Sequence, residues 1–207
     1  MTAQAAAVTA LAGYALFLLL AFGLRTLVHL RRTGSTGFVG IGGRVGSAEW
    51  CGGVLFVVAL VAGAAAPALQ LAGVVVAFED LDRFWAWAIG VGFYLLGIIG
   101  TLWAQFAMGE SWRIGVDAAA RTQLVVSGPF RWVRNPIYTA MLLATLGLVL
   151  LVPNIASILA LLALVIALEI QVRLVEEPYL LQTHGEDYRR YGAGTGRFLP
   201  GIGRAAQ

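Results

Sequence analysis

Four long stretches of this chain contain no Asp, Glu, Lys or Arg: Met1–Leu24, Trp50–Phe78, Phe84–Gly109 and Ile137–Leu168. A spanning helix needs about 20 apolar residues to cross roughly 30 Å of hydrocarbon. The first three runs each fit one crossing. The fourth is too long for one and is interrupted by Pro153-Asn154, a turn-forming dipeptide. It reads as a tight helical hairpin whose second arm continues past Leu168 toward Glu177. The expected fold is therefore an all-α integral membrane protein with about five transmembrane helices. The last two form the hairpin, and a polar C-terminal tail follows.

Composition agrees with a single membrane-embedded domain over residues 1–207. The chain is 59% hydrophobic and 12% charged, about half the charged fraction of soluble domains. All 14 basic residues are arginine. No basic run with interleaved aromatics marks a nucleic-acid surface, and no protein partner is evident. Cys51 is the only cysteine, which excludes a disulfide framework or cysteine cluster. Beside Gly52 and Gly53 it reads as a small buried residue. His29 and His184 are too separated to suggest a metal site. Met1–Leu24 lacks the positive n-region of a signal peptide and reads as a retained helix.

Arginine placement gives the expected orientation. Arg25, Arg31, Arg32 and Arg44 follow the first span, and Arg113, Arg121, Arg131 and Arg134 lie between the third and fourth. The tail carries Arg189, Arg190, Arg197 and Arg204, whereas the Glu79–Arg83 turn holds three acids and one arginine. The pattern predicts an N-terminus outside, both arginine-rich loops inside, and a cytoplasmic C-terminus. The glycine-rich stretches add little. "GFVGIGGRVG" does not give G-x-G-x-x-G, and no strand precedes it. "GAGTGR" reads as a flexible tail, and no internal repeat of useful strength stands out.

Polar chemistry concentrates in two places. In "SGPFRWVRNPIY", Ser127 to Tyr138, Asn135 is a preferred N-cap and Pro136 suits the first helical position. The free N–H groups of that turn and the helix dipole make an anion site. Arg134 and Arg131 add charge, Phe130 and Trp132 flat apolar surface, and Tyr138 a hydroxyl. Arginine and tryptophan are also routine interface anchors. The second place is the last helix, where Glu169, Arg173, Glu176 and Glu177 share one face at 100° per residue. Ionisable groups in a spanning helix face the bundle interior or a wet cavity, although Glu169 and Arg173 can simply pair at i, i+4. Pro178 is expected to break this helix. A cationic and an anionic cluster together suit a zwitterionic ligand.

"SGPFRWVRNPIY", the hairpin, "RLVEEPYLLQTHGEDYRRY" and "RFLP" resemble the isoprenylcysteine carboxyl methyltransferase family and its phospholipid-methyltransferase relatives. "MGESWRIGVD", Met108 to Asp117, is similar to bacterial members. The resemblance covers residues 108–200 and implies that 1–107 supplies three helices and 108–207 the cofactor-binding and catalytic half. It implies methyl transfer from S-adenosylmethionine, leaving S-adenosylhomocysteine, to a lipophilic acceptor entering from the bilayer. The acceptor would be a prenyl-cysteine-like carboxylate or another lipid carboxylate or amine. The location it implies is the cytoplasmic face of a bacterial inner membrane. By matching position, Arg134, Asn135, Pro136, Ile137, Tyr138, Tyr188 and Tyr191 belong to the cofactor side, with the tail closing the pocket. Arg173, Glu176 and Glu177 match the residues near methyl transfer. Eukaryotic relatives commonly have histidine where Asn135 stands, and asparagine cannot titrate. Membrane sterol reductases share a similar C-terminal pattern and would imply NADPH instead. A non-enzymatic scaffold or transporter, with its arginines and glutamates only sealing the bundle, is the remaining alternative.

The arginine alternation is directly testable. In a Cys51-free background, single cysteines in the Glu79–Arg83 turn should label from outside and those near Arg131 from inside. Reversed labelling would contradict this orientation.

Overall fold

The computed structural model describes residues 2–115 and 123–205. Asp117 and Arg121, which belong to the upstream motif and the second arginine-rich loop, lie outside the described residues. The helices are α1 (Ala3–Leu18), α2 (Arg25–Thr33), α3 (Ala48–Leu71), α4 (Phe84–Ala107), α5 (Pro136–Leu151), α6 (Ile155–Ile170) and α7 (Glu177–Gly194). Two π-helical segments, Leu19–Leu24 and Gln171–Glu176, join α1 to α2 and α6 to α7 without a break. Among the described residues there is no strand beyond isolated bridges.

The all-helical membrane expectation holds. Four helices are long and apolar enough to cross a membrane: Ala3–Thr33, Ala48–Leu71, Phe84–Ala107 and Ile155–Gly194. α5 is the exception at 16 residues, about 24 Å at 1.5 Å per residue. It is the short arm of the predicted hairpin. The turn forms at Val152–Asn154, where Asn154 and Ser157 make a reciprocal capping box. The Asn154 amide also donates to Gln70 Oε1 at 2.9 Å and to Ala66 O at 3.2 Å, tying the turn to α3.

Small residues set the packing. A Cβ on Gly97 would fall 2.5 Å from the backbone nitrogen of Ala144, and one on Gly147 the same distance from that of Tyr94. α4 and α5 thus touch backbone to backbone, the usual means of helix association where lipid removes the hydrophobic drive. One buried cluster joins α1, α4 and α5 through Ala10, Tyr14, Phe17, Tyr94, Met141 and Leu148. A second joins α3 and α6 through Ala59, Leu164 and Leu168. Tyr138 packs against both clusters, at the seam between them.

Several local expectations are corrected. The first helix does not end near Leu24 but runs to Thr33. In its π segment the Ala21 carbonyl accepts from Gln105 Nε2 at 3.0 Å. Arg25, counted as a flanking charge, is buried. It donates to Gly109 O at 2.7 Å and lies over the Trp112 ring at 4.5 Å. Cys51 faces out of the bundle instead of being buried, because Gly52 takes the contact with Ile170 of α6. Pro178 does not break the last helix, since it directly follows the π segment Gln171–Glu176, where the i→i−4 ladder is already interrupted and its missing N–H is accommodated. The irregularity falls at Gly185, with φ 52° and ψ −120°.

The α4–α5 contact gives a stability prediction. Gly97→Val should force the pair apart and cost about 1–3 kcal/mol, the range for overpacking. The measurement is the thermal midpoint in detergent. Gly92, whose Cβ would meet nothing, is the control and should be insensitive to the same change.

Candidate active site

The sequence predicts that the Arg134 and Glu176-Glu177 clusters meet, and they do. Their pairing differs from expectation, because the two clusters bind each other and the tail. Arg134 is 6% exposed. Its Nη1 donates to Gly192 O and Thr195 O, both at 2.8 Å, and its Nη2 to Glu177 Oε1 at 2.8 Å and Gly203 O at 3.0 Å. Glu177 also accepts a two-pronged bond from Arg197, with Nε to Oε1 and Nη2 to Oε2 at 2.8 Å each. A fork on a carboxylate is among the strongest ion-pair geometries. The Glu177 carboxylate holds the Arg197 guanidinium above its ordinary pKa.

The tail is accordingly bound, not flexible as "GAGTGR" was read. Arg134 N donates to Gly196 O at 2.8 Å, and Asn135 N to Arg197 O at 3.1 Å. Thr139 Oγ1 donates to Phe198 O at 2.7 Å. Asn135 does not cap α5. Its Nδ2 turns to Arg197 O at 3.1 Å instead, and no side chain caps the first turn. Pro136 takes the expected first position and is buried, while Ile137 packs against the core.

Glu176 is bound differently. Its Oε1 accepts from the Tyr138 hydroxyl and from Gln171 Nε2, the latter at 3.3 Å. Glu169, Arg173, Glu176 and Glu177 therefore do not act as one face. The i→i+5 winding of Gln171–Glu176 breaks the 100° periodicity that placed them together. Glu176 turns to α5 and Glu177 to Arg134, while Arg173 pairs with Glu169 at an exposed position. The structure does not bring Arg173 to the other site residues.

Tyr188 and Tyr191, one turn apart on α7, are ring neighbours at 6.2 Å. Tyr188 is buried, and the Tyr191 hydroxyl donates to Phe130 O at 2.6 Å, fixing α7 to the Gly128–Arg131 turn. Trp132 is half exposed. It stacks edge-on to Trp103 at 5.5 Å, with Arg131 5.0 Å above its ring. That pair has the composition of an interface anchor.

Two participants were missed. Arg197 was within reach, since it opens the "RFLP" motif. Gln171 was not, because an α-helix puts positions i and i+5 on different sides, and only the π segment joins it to Glu176.

Residues 85–187 match the family model described as phospholipid methyltransferase. The match covers α4 through most of α7, and over that stretch the chain belongs to this family. It is an integral membrane protein of a methyltransferase family. A search of curated proteins found no match to the chain.

The bracket around Glu177 should dominate stability at this end of the molecule. Glu177→Gln leaves Arg134 and Arg197 without their counter-ion and, with Arg134 buried but Glu177 and Arg197 part-exposed, should cost about 1–3 kcal/mol. Glu169→Gln, in the exposed pair with Arg173, should cost under about 1 kcal/mol. Thermal midpoints of the two variants in one detergent provide the comparison.

Proposed function

We propose that this protein transfers methyl from S-adenosylmethionine to a lipophilic acceptor entering from the bilayer, at the cytoplasmic face of the membrane. The observation that carries the reading is the Glu176 carboxylate, held at the seam of the two helix clusters by two neutral donors, Tyr138 and Gln171. It has no arginine partner among the described residues. Repulsion from Glu177 is offset by the two arginines on that neighbour.

The donor set fits a zwitterionic, sulfonium-bearing cofactor. Arg134 keeps a buried Nε with no partner among the described residues. The α5 start has no side-chain cap, which leaves its positive end for a carboxylate. Glu176 offers negative charge to an ammonium or sulfonium, and Tyr188 a buried aromatic wall. When bound, S-adenosylmethionine supplies an electrophilic methyl group. The protein's task is alignment, with reacting atoms held about 3–3.5 Å apart, and exclusion of water by the stitched tail.

The arginines also bear on the acceptor. Arg134 and Arg197 are occupied by Glu177 and tail carbonyls, and Arg173 by Glu169. An acceptor carboxylate would therefore approach an unneutralised Glu176. A lipid amine suits the site better, because it delivers a proton that Glu176 can accept as the N–C bond forms. Tyr138 and Gln171 orient that carboxylate, and Glu177 positions Arg134 and the tail.

Two measurements separate these roles. Purified protein should bind S-adenosylhomocysteine by calorimetry, which neither a reductase nor a scaffold would do. Glu176→Gln should keep the stability within about 1 kcal/mol of wild type, since its partners are neutral, yet lose most methyl transfer from labelled cofactor into lipid-amine vesicles. Full activity in Glu176→Gln would remove this carboxylate from the reaction.

A further inference from the structure

The connection from α2 to α3 contains a repeat that composition concealed. Gly34, Gly37, Gly40, Gly43 and Gly46 occupy every third position, and each has φ between 69° and 88°. Side-chain-bearing residues rarely adopt that region, so the chain turns at each of these glycines. The residues between them point outward. Val45 is 83% exposed and Phe38 65%, with Val39 and Ile41 also exposed. Apolar exposure at this density is unusual for a surface in water.

The loop is held in place. Val39 N donates to Ile114 O at 2.9 Å, and Ile114 N to Gly37 O at 2.8 Å. Gly37 lies against the His29 and Trp112 rings, where a Cβ would fall 2.9 Å from His29 Cδ2. On the other side Ile41 packs on Gly53, where a Cβ would fall 2.8 Å from Ile41 Cγ2. Gly53 lies inside the charge-free run that begins at Trp50. Ile41 therefore reaches the apolar part of α3, while Gly42 and Gly43 lie against Glu49, one turn nearer its start.

Helix length explains why the loop descends. Ala3–Thr33 is one rod of 31 residues, about 46 Å long, against roughly 30 Å of hydrocarbon. The α2 end must project from the membrane, and the chain has to return along that excess before α3 can start.

We propose that residues 38–45 form an interfacial element. Phe38, Val39, Ile41 and Val45 insert into the leaflet through which α3 enters the membrane, and Arg44 stays among the lipid headgroups. The occupant of this apolar surface is lipid, because the surface is continuous with the lipid-facing side of α3 where Ile41 covers Gly53. A basic residue among apolar ones is the composition of such elements. Through Ile114, insertion would also set the height of the chain that leaves α4 toward the Gly128–Arg131 turn.

The test uses full-length protein with Cys51→Ala, reconstituted in phosphatidylcholine–phosphatidylglycerol vesicles. Single spin labels go at Phe38→Cys, Val45→Cys and, as the polar reference, Ser35→Cys. Power saturation with oxygen and with a water-soluble nickel chelate reads the surroundings of each label. Labels at positions 38 and 45 should show an oxygen-to-nickel accessibility ratio several-fold above that at position 35. A ratio equal to the reference would place the loop in water and overturn the proposal. Low access to both reagents would also overturn it, because a second copy or another part of this chain would then cover the patch. The readout needs no methyl transfer, so it stands apart from the functional reading above.

Discussion

The polar half of this molecule depends on one carboxylate between two arginines. Glu177 accepts from Arg134 at one oxygen and from the Arg197 fork at both. Arg134 lies beside the start of α5, Glu177 opens α7, and Arg197 belongs to the tail. Three segments far apart in sequence are thus joined at one place, each with a formal charge. A buried charge is costly to leave unpaired, and of the three groups Arg134 is the one taken fully out of solvent. Arg134 also satisfies the carbonyls of Gly192, Thr195 and Gly203. The Gly192 carbonyl also accepts from Ala205 N at 3.0 Å, which ties the end of the tail back to α7.

Around that bracket the site is built from departures from ideal helix geometry. The π segment Gln171–Glu176 places two consecutive glutamates in different surroundings. One is ionically paired, and the other is hydrogen-bonded only to neutral groups. Without the extra residue in that turn, Gln171 could not reach Glu176. Glycine and alanine supply the complementary feature, close helix contacts that hold α5 against α4 and α3 against α6. Tyr138 can then bridge both clusters and reach the Glu176 carboxylate.

Much of this was legible in the sequence because its physics is one-dimensional. Charge-free runs give the helices, Pro153-Asn154 gives the hairpin turn, and the arginines gather at the ends of spans. The meeting of the Arg134 and Glu176-Glu177 segments was legible from charge complementarity and family resemblance. What was not legible depends on winding or on partners distant in sequence. The π segment moved Arg173 away from the cluster and brought Gln171 in. Asn135 gave up the capping role its type favours because the tail offered Arg197 O. The five evenly spaced glycines of residues 34–46 did not stand out in a chain holding 26 glycines. Their regularity becomes plain only once every one of them has positive φ.

The central claim is that the Glu177 bracket holds the tail over the site. Backbone hydrogen exchange on the protein in lipid nanodiscs tests it most directly, at the amides of Arg134, Asn135 and Ala205, which bond across the tail junction, and of Arg197, which bonds to Ile202 O within the tail. The account predicts that these amides exchange slowly in the native protein. In Glu177→Gln they should lose protection together, while amides inside α4 and α5 stay unchanged. Rapid exchange of the tail amides in the native protein, or protection unaffected by Glu177→Gln, would contradict it.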